Sequence, residues 1–458
     1  SIMEKRARTK AIRRKFFTIF MLVLFLHSVI WSVSLSDILN KEPFTGLPEV
    51  ISESGLPNVD PNTYSGVVLK VLRLRTQQWL GADWEHTVLL AYNEELSPTM
   101  DTALVMIGGD YKYDREVLQA VISVLQESDG LFVFLFDVPN QPLLGGLRED
   151  WLISETFERY FQTLDPTVPA LVPMVRSVRK VMDWVENAFG IRKFVLSGAS
   201  KRGWTTFLTA AVDERVKGIV PISFDFLNFP EQLRKQKEWY GAYSPEIAPY
   251  TEKDFPAKLE EDVGKELLKI VDPFQYIPTL TTPKICVVGT NDPYWHLFSW
   301  QHYFPELSGY KQMLYIPNKG HGVELLRPIL AILALIDHVC CGTQLPEYQW
   351  KVDDRQIVVE WASQQDYTVL AAYLWTARSS TMDFRRAKWA ISPLPIPENQ
   401  ALAQIAEFEL ENVSAFVELL FETHEAGKAA KRRLYLSTPV FLFPKDSERS
   451  GGIEIPRP

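Results

Sequence analysis

Phe194-Val-Leu-Ser-Gly198-Ala199-Ser200-Lys201-Arg202-Gly203-Trp204 is the stretch from which the rest of this chain is read. An apolar run of strand length enters a turn of small residues and leaves it in a helical pattern. A serine placed there stands on a sharp strand-to-helix corner, a strained backbone position that tolerates only small neighbours and exposes the hydroxyl at the edge of a sheet. Gly198 and Ala199 meet that need. The usual pattern puts a second glycine two residues after the serine; Arg202 is there instead, and the glycine follows at 203. Taken alone, the turn also fits a serine that merely caps a helix.

Working outward, Ala103–Ile107, Leu131–Phe136, Lys193–Leu196, Gly218–Ile222, Ile285–Val288 and Met313–Ile316 are continuous apolar runs of strand length. Such runs suit strands buried on both faces of a parallel sheet. Between them, Glu116–Ser128, Val172–Ala188, Trp204–Val212 and Val323–His338 carry helical apolar spacing. The alternation predicts an α/β fold with a doubly wound, mostly parallel sheet over residues 37–344. Residues 139–168 and 227–282 are irregular, aromatic and Pro-containing, and predict lid insertions over the carboxyl ends of the strands. After 345 the runs Gln349–Val352, Gln356–Trp361, Thr368–Trp375, Ala415–Phe421 and Leu434–Phe443 alternate with turn-forming segments, which predicts a β-sandwich over 345–458.

A serine hydroxyl becomes a good nucleophile when a histidine takes its proton and a carboxylate holds that histidine in the right tautomer. Asp292 follows one apolar run in Gly289-Thr-Asn-Asp-Pro293, and His321 follows the next in Pro317-Asn-Lys-Gly-His321-Gly322. Loops after parallel strands converge at one edge of the sheet, so Ser200, Asp292 and His321 can meet, and their chain order is that of α/β-hydrolases. Asp225, after the run ending at Ile222, is the rival acid. An oxyanion needs two donors. The Lys201 backbone N–H and Gly109, in the loop Gly108-Gly109-Asp110-Tyr111, are the candidates. Lys201 and Arg202 also offer cations to a pocket, and Arg202, Trp204, Tyr294 and Trp295 are candidate substrate contacts; Trp151, Trp239, Tyr240 and Tyr243 lie with these aromatics in or near the presumed lid and pocket, where packing explains the whole set almost as well. His296 and His302 read as packing.

The 458 residues carry a net charge of −9, of which residues 1–36 supply +6, leaving −15 on the rest. A body that acidic argues against nucleic acid as a partner. The segment 1–36, with seven basic residues before an apolar stretch from Phe16 to Ser36, has the layout of a signal peptide or signal anchor. Cleavage and retention both fit, and either way the body is exported, with a membrane met only through that segment. Three cysteines are too few for a disulfide framework: Cys286 reads as a buried core residue, and Cys340 and Cys341 receive no chemistry. No metal or cofactor constellation is present in the pattern, and none is expected. Asn412-Val-Ser414 is a lone sequon.

The strings Gly198-Ala-Ser-Lys-Arg-Gly-Trp-Thr-Thr206, Val220-Pro-Ile-Ser-Phe-Asp-Phe-Leu-Asn228, Val271-Asp-Pro-Phe-Gln-Tyr276, Gly289-Thr-Asn-Asp292, Tyr315-Ile-Pro-Asn318 and Leu374-Trp-Thr-Ala377 with Asp383-Phe-Arg385 resemble the PhoPQ-activated pathogenicity-related proteins, which include the autocrine proliferation repressors. The resemblance implies an exported α/β-hydrolase with a C-terminal β domain, whose serine, acid and histidine fall on Ser200, Asp292 and His321. The corner is also similar to the Gly-Cys-Ser-Arg elbow of glucuronoyl esterases, which implies an oxyanion role for the Lys201 side chain. The expected activity is hydrolysis of an ester or amide bond in a small-molecule or peptide substrate. A secreted signalling or binding protein on the same scaffold is the alternative, because fold alone does not entail catalysis.

Overall fold

The computed structural model describes residues 33–41, 46–56, 66–95, 101–112, 130–424 and 431–445, together with Gln119, Ile122 and Leu125. The basic and apolar segment read as an export signal lies outside the described residues except for its last four, and so does most of the expected helix Glu116–Ser128. Among the described residues no helix is long and apolar enough to cross a membrane.

The central sheet takes its order from strands β2 (Val67–Trp79), β3 (Ala82–Asn93), β4 (Thr102–Ile107), β5 (Leu131–Leu135), β6 (Lys193–Ala199), β7 (Val216–Ile222), β8 (Lys284–Gly289) and β9 (Lys311–Ile316), laid side by side as β2-β3-β5-β4-β6-β7-β8-β9. From β5 to β9 every pairing is parallel, while β3 runs antiparallel to both of its neighbours. This is the mostly parallel α/β sheet that the apolar runs predict, in the arrangement of the α/β-hydrolase fold that the site-residue order and the resemblance imply. The hairpin β2–β3, and β1 (Glu49–Gly55) beside it, were not among the expected strands. β1 is exposed throughout and β2 mixes half-buried with buried residues, the habit of an antiparallel edge, whereas β3 is buried from His86 to Ala91.

Val195, Leu196, Ile219, Val220 and Val287 are fully buried because helices cover the parallel strands. The amphipathic helix Leu171–Phe189 ends where Gly190 turns left-handed and its N–H caps the Glu186 carbonyl. Lys201–Val212 and Leu326–Cys341 both pack on β6 and β7. The second of these helices carries a vicinal Cys340–Cys341 disulfide, which nothing in the cysteine count signalled.

Beyond 345 the chain forms an antiparallel sandwich. One layer is β10 (Tyr348–Asp353), β11 (Gln356–Trp361) and β14 (Gln400–Gln404); the other holds β12 (Tyr367–Ser379), β13 (Ala390–Leu394), β15 (Asn412–His424), β16 (Lys431–Ser437) and β17 (Phe441–Phe443). Tyr348 of the first layer meets Phe421 of the second, ring centroids 6.0 Å apart. The expected single run Leu434–Phe443 is broken in two at Pro439, which has no N–H to donate to a ladder. A bridge between Ser437 and Met313 joins β16 to β9, so the second layer extends the central sheet.

Candidate active site

Three loops leave the carboxyl ends of β6, β8 and β9 and meet. Ser200 sits between β6 and its following helix at φ 60° and ψ −126°, a conformation few non-glycine residues adopt, and its N–H is held by the Ile222 carbonyl at 2.8 Å. The corner is tight. A Cβ on Gly198 would stand 2.8 Å from the Arg202 carbonyl oxygen, and one on Gly203 would stand 3.0 Å from the Ile222 carbonyl and 3.1 Å from that of Gly198. Gly203 therefore supplies the close helix-to-strand approach, which explains how Arg202 can occupy the place where a glycine usually stands.

His321 Nε2 lies 2.7 Å from Ser200 Oγ, and His321 Nδ1 lies 2.8 Å from Asp292 Oδ2. An ionised carboxylate only accepts, so the neutral ring carries its proton on Nδ1 and offers Nε2 to the serine hydroxyl. Asp292 is buried, and its other oxygen accepts from the Tyr294 N–H at 3.0 Å. Tyr294 stacks on the imidazole at 4.0 Å, Trp295 meets it edge-on at 5.5 Å, and Ser223 Oγ donates to the His321 carbonyl at 2.7 Å. Asp225, the rival acid, points elsewhere. The Tyr303 hydroxyl donates to it, and burial pushes its carboxyl up to about 7, that bond opposing and the charge of Asp292 adding to the rise.

The two cations beside the serine are committed to the first insertion. Lys201 Nζ stands 2.9 Å from Glu149 and 3.0 Å from Asp150, and Arg202 forks onto Glu149 at 2.7 and 2.8 Å while also donating to the Val138 carbonyl. Burial alone would raise the Glu149 carboxyl; the Arg202 hydrogen bonds and the two positive charges outweigh it and hold the group at about 2. Arg202 thus differs from the expected substrate contact: its guanidinium is spent on Glu149 and does not line the cavity. Gly109 lies against that guanidinium, 2.7 Å from where its Cβ would be, and it too is off the cavity wall. Lys201 is on the wall, as the first residue of its helix, where a backbone N–H has no intrahelical acceptor.

Ser200 opens into an apolar cavity of about 60 Å³. Trp204, Tyr294 and Trp295 line it as expected. The remaining walls come from the loop after β7 through Phe224 and Phe226, and from the second insertion through Phe229, Ile247, Tyr250 and Phe255. Asp150 from the first insertion completes it, accepting from the Tyr250 hydroxyl at 2.9 Å. Sequence reading missed these wall residues. The only signal for them was the aromatic content of the insertions, and the four insertion aromatics it singled out lie elsewhere. Trp151 is exposed, Trp239 packs on His296, Tyr240 lies under the Arg385 guanidinium, and Tyr243 stands outside the wall. His296 and His302 meet edge to face at 5.1 Å, away from the cavity. Among the described residues no cluster of three or more His, Cys, Asp or Glu side chains is placed to hold a metal ion.

The family model of the PhoPQ-activated pathogenicity-related proteins matches residues 59–385. Autocrine proliferation repressor protein A of Dictyostelium discoideum is 28% identical over 359 residues, covering 72% of this chain and 70% of that protein. Among solved structures, acetyl xylan esterase 1 of Thermoanaerobacterium sp. superposes with a TM-score of 0.51 at 14% identity, over 66% of this chain and 92% of its own. At that identity the likeness concerns the fold.

Proposed function

The chain belongs to the PhoPQ-activated pathogenicity-related protein family, and on that premise we propose that it is an exported serine hydrolase cleaving an ester or amide bond through an acyl-enzyme. What carries the reading is the relay of 2.8 and 2.7 Å from Asp292 through His321 to a serine that opens into a cavity. His321 Nε2 takes the hydroxyl proton as Ser200 Oγ attacks the carbonyl carbon. Asp292 stays ionised and steadies the imidazolium, and the Lys201 N–H meets the oxyanion. His321 returns the proton to the leaving group, and water repeats the sequence to free the acid.

The acyl group would occupy the apolar cavity. At about 60 Å³ it is less than half the size of the roughly 150 Å³ space that admits a benzene ring, which favours short apolar acyl groups over aromatic or long ones. The body, at −15 without residues 1–36, would act on a neutral small molecule or peptide and meet a membrane only through the N-terminal segment. The name of the Dictyostelium relative supports a second reading, a secreted proliferation-repressing signal on this scaffold.

Labelling with a fluorophosphonate probe and hydrolysis of a p-nitrophenyl ester series test the first. The expected result is labelling lost in Ser200→Ala and turnover reduced about 10⁴-fold in Asp292→Asn and His321→Ala, with acetyl to butyryl esters preferred to benzoyl. A folded wild type that neither labels nor turns over any ester or peptide would sink the enzyme reading and leave the signal.

A further inference from the structure

The loop Asp383–Trp389, between β12 and β13 of the sandwich, takes no part in the chemistry above, yet it reaches the Asp292 loop through Phe384, Arg385 and Ala387 and the His321 loop through Trp389. Asn291, immediately before the acid, directs Nδ2 at three carbonyls of that loop: Phe384 at 3.3 Å, Arg385 at 3.2 Å and Ala387 at 2.7 Å. Asn318, three residues before the histidine, pairs with Trp389 in both directions, accepting from its N–H at 2.8 Å and donating to its carbonyl at 3.0 Å. The catalytic loops are also tied to each other. The Asn291 N–H donates to the Lys319 carbonyl at 2.9 Å, and the Thr290 hydroxyl accepts from the Asn318 N–H while donating to Asn291 Oδ1.

The loop that grips them is itself fixed. Phe384 is fully buried against Phe298, Trp389 packs on Phe416 at 5.3 Å, and Asp383 accepts from the Arg385 N–H and guanidinium. The Arg385 guanidinium lies 4.1 Å over Tyr240, the last residue of the lid helix Phe229–Tyr240. Past the ends of β8 and β9 the catalytic loops have no ladder to hold them, whereas proton relay requires atoms placed to within a fraction of an ångström.

We propose that the loop Asp383–Trp389 is a positioning device contributed by the C-terminal sandwich, with Asn291 and Asn318 as the two pins through which it sets the Asp292–His321 geometry. The proposal rests on the serine-hydrolase reading for its kinetic arm only.

The test uses the full chain with Asn291→Ala and Asn318→Ala, and Asn399→Ala as a control that removes a sandwich hydrogen bond to Ser363 far from the pins in sequence. With short esters, the pin variants are expected to lose kcat about 10- to 100-fold while KM stays within about 3-fold, and the acid limb of the pH–kcat profile moves by roughly half a unit. In ¹⁵N-histidine-labelled protein, the low-field Nδ1 proton bonded to Asp292 weakens or disappears in Asn291→Ala. Asn399→Ala leaves all of these as in the wild type. Pin variants that remain folded with wild-type kcat and pH profile would overturn the proposal, as would losses that vanish when the assay temperature is lowered below the onset of melting. If the wild type turns nothing over, the hydrolase reading fails instead, and the proton resonance still decides on the pins: its persistence in folded Asn291→Ala removes them.

Discussion

The corner at Ser200 and the cavity above it are a few ångströms apart and were built in opposite ways. The corner is contiguous: β6, two small residues, the serine and its helix occupy residues 193–212, and each local requirement is met by the next residue along. The cavity is assembled from Asp150, the loop after β7, the second insertion and Tyr294–Trp295, separate pieces drawn from across residues 150–295. On the proposed function, reactivity would depend on local backbone strain and selectivity on how distant segments dock. A change in the corner should therefore cost stability and activity together, while a change in the cavity wall should move selectivity.

The sharpest way to break this contrast is Gly198→Ala. Its methyl would stand 2.8 Å from the carbonyl oxygen and Cβ of Arg202, which cannot move without shifting the helix that starts after Ser200. We expect a loss of about 3 kcal/mol in denaturant unfolding, and fluorophosphonate labelling slowed in the fraction that stays folded. Labelling and stability close to wild type would mean that the corner is looser than its geometry implies.

Phe255→Ala addresses the other region. Phe255 stacks on Phe157 at 5.4 Å and forms one wall of the cavity. Truncation should shift the kcat/KM ratio of hexanoyl to acetyl esters upward by about 10-fold with little change in labelling rate. An unchanged ratio would place the acyl group elsewhere.

The smallest effect comes from the ion cluster that joins the two regions. Glu149 is held at about 2, below its ordinary 4.5, by Arg202 and Lys201 against the opposing effect of burial. A folded-state value below the unfolded one gives stability that is fully present above about 4.5 and is lost as the pH falls toward 2. Because the carboxylate remains partly solvated, the loss should be no more than about 1 kcal/mol. It should show in wild type, and be absent in Glu149→Gln, when thermal unfolding is followed between those pH values. Equal acid sensitivity in the two proteins would remove the cluster as an anchor.

Much of the fold was legible because a strand buried on both faces must be apolar throughout: all six runs read from the sequence became β4 to β9. Ser200, Asp292 and His321 were legible because each follows such a run, and parallel topology brings the strand ends together. Of the two cations, Lys201 lies on the cavity wall and Arg202 does not. Arg202 looks available in the sequence, and only docking of the first insertion places Glu149 beside it. Strand β2 was missed because Lys70, Arg73 and Arg75 interrupt its apolar signal; β3 was missed although Val88–Ala91 is apolar and buried throughout.

By itself, then, the sequence determined the strand order's raw material, the small-residue corner and the three loops that bear the reactive groups, since these follow from periodicity and steric limits acting within a few residues. Only the tertiary structure decided which aromatic rings wall the cavity, which carboxylates neutralise Lys201 and Arg202, and that Asn291 and Asn318 face a loop of the sandwich. Those contacts join segments up to about a hundred residues apart, and no local pattern encodes which surfaces will meet once the core has closed.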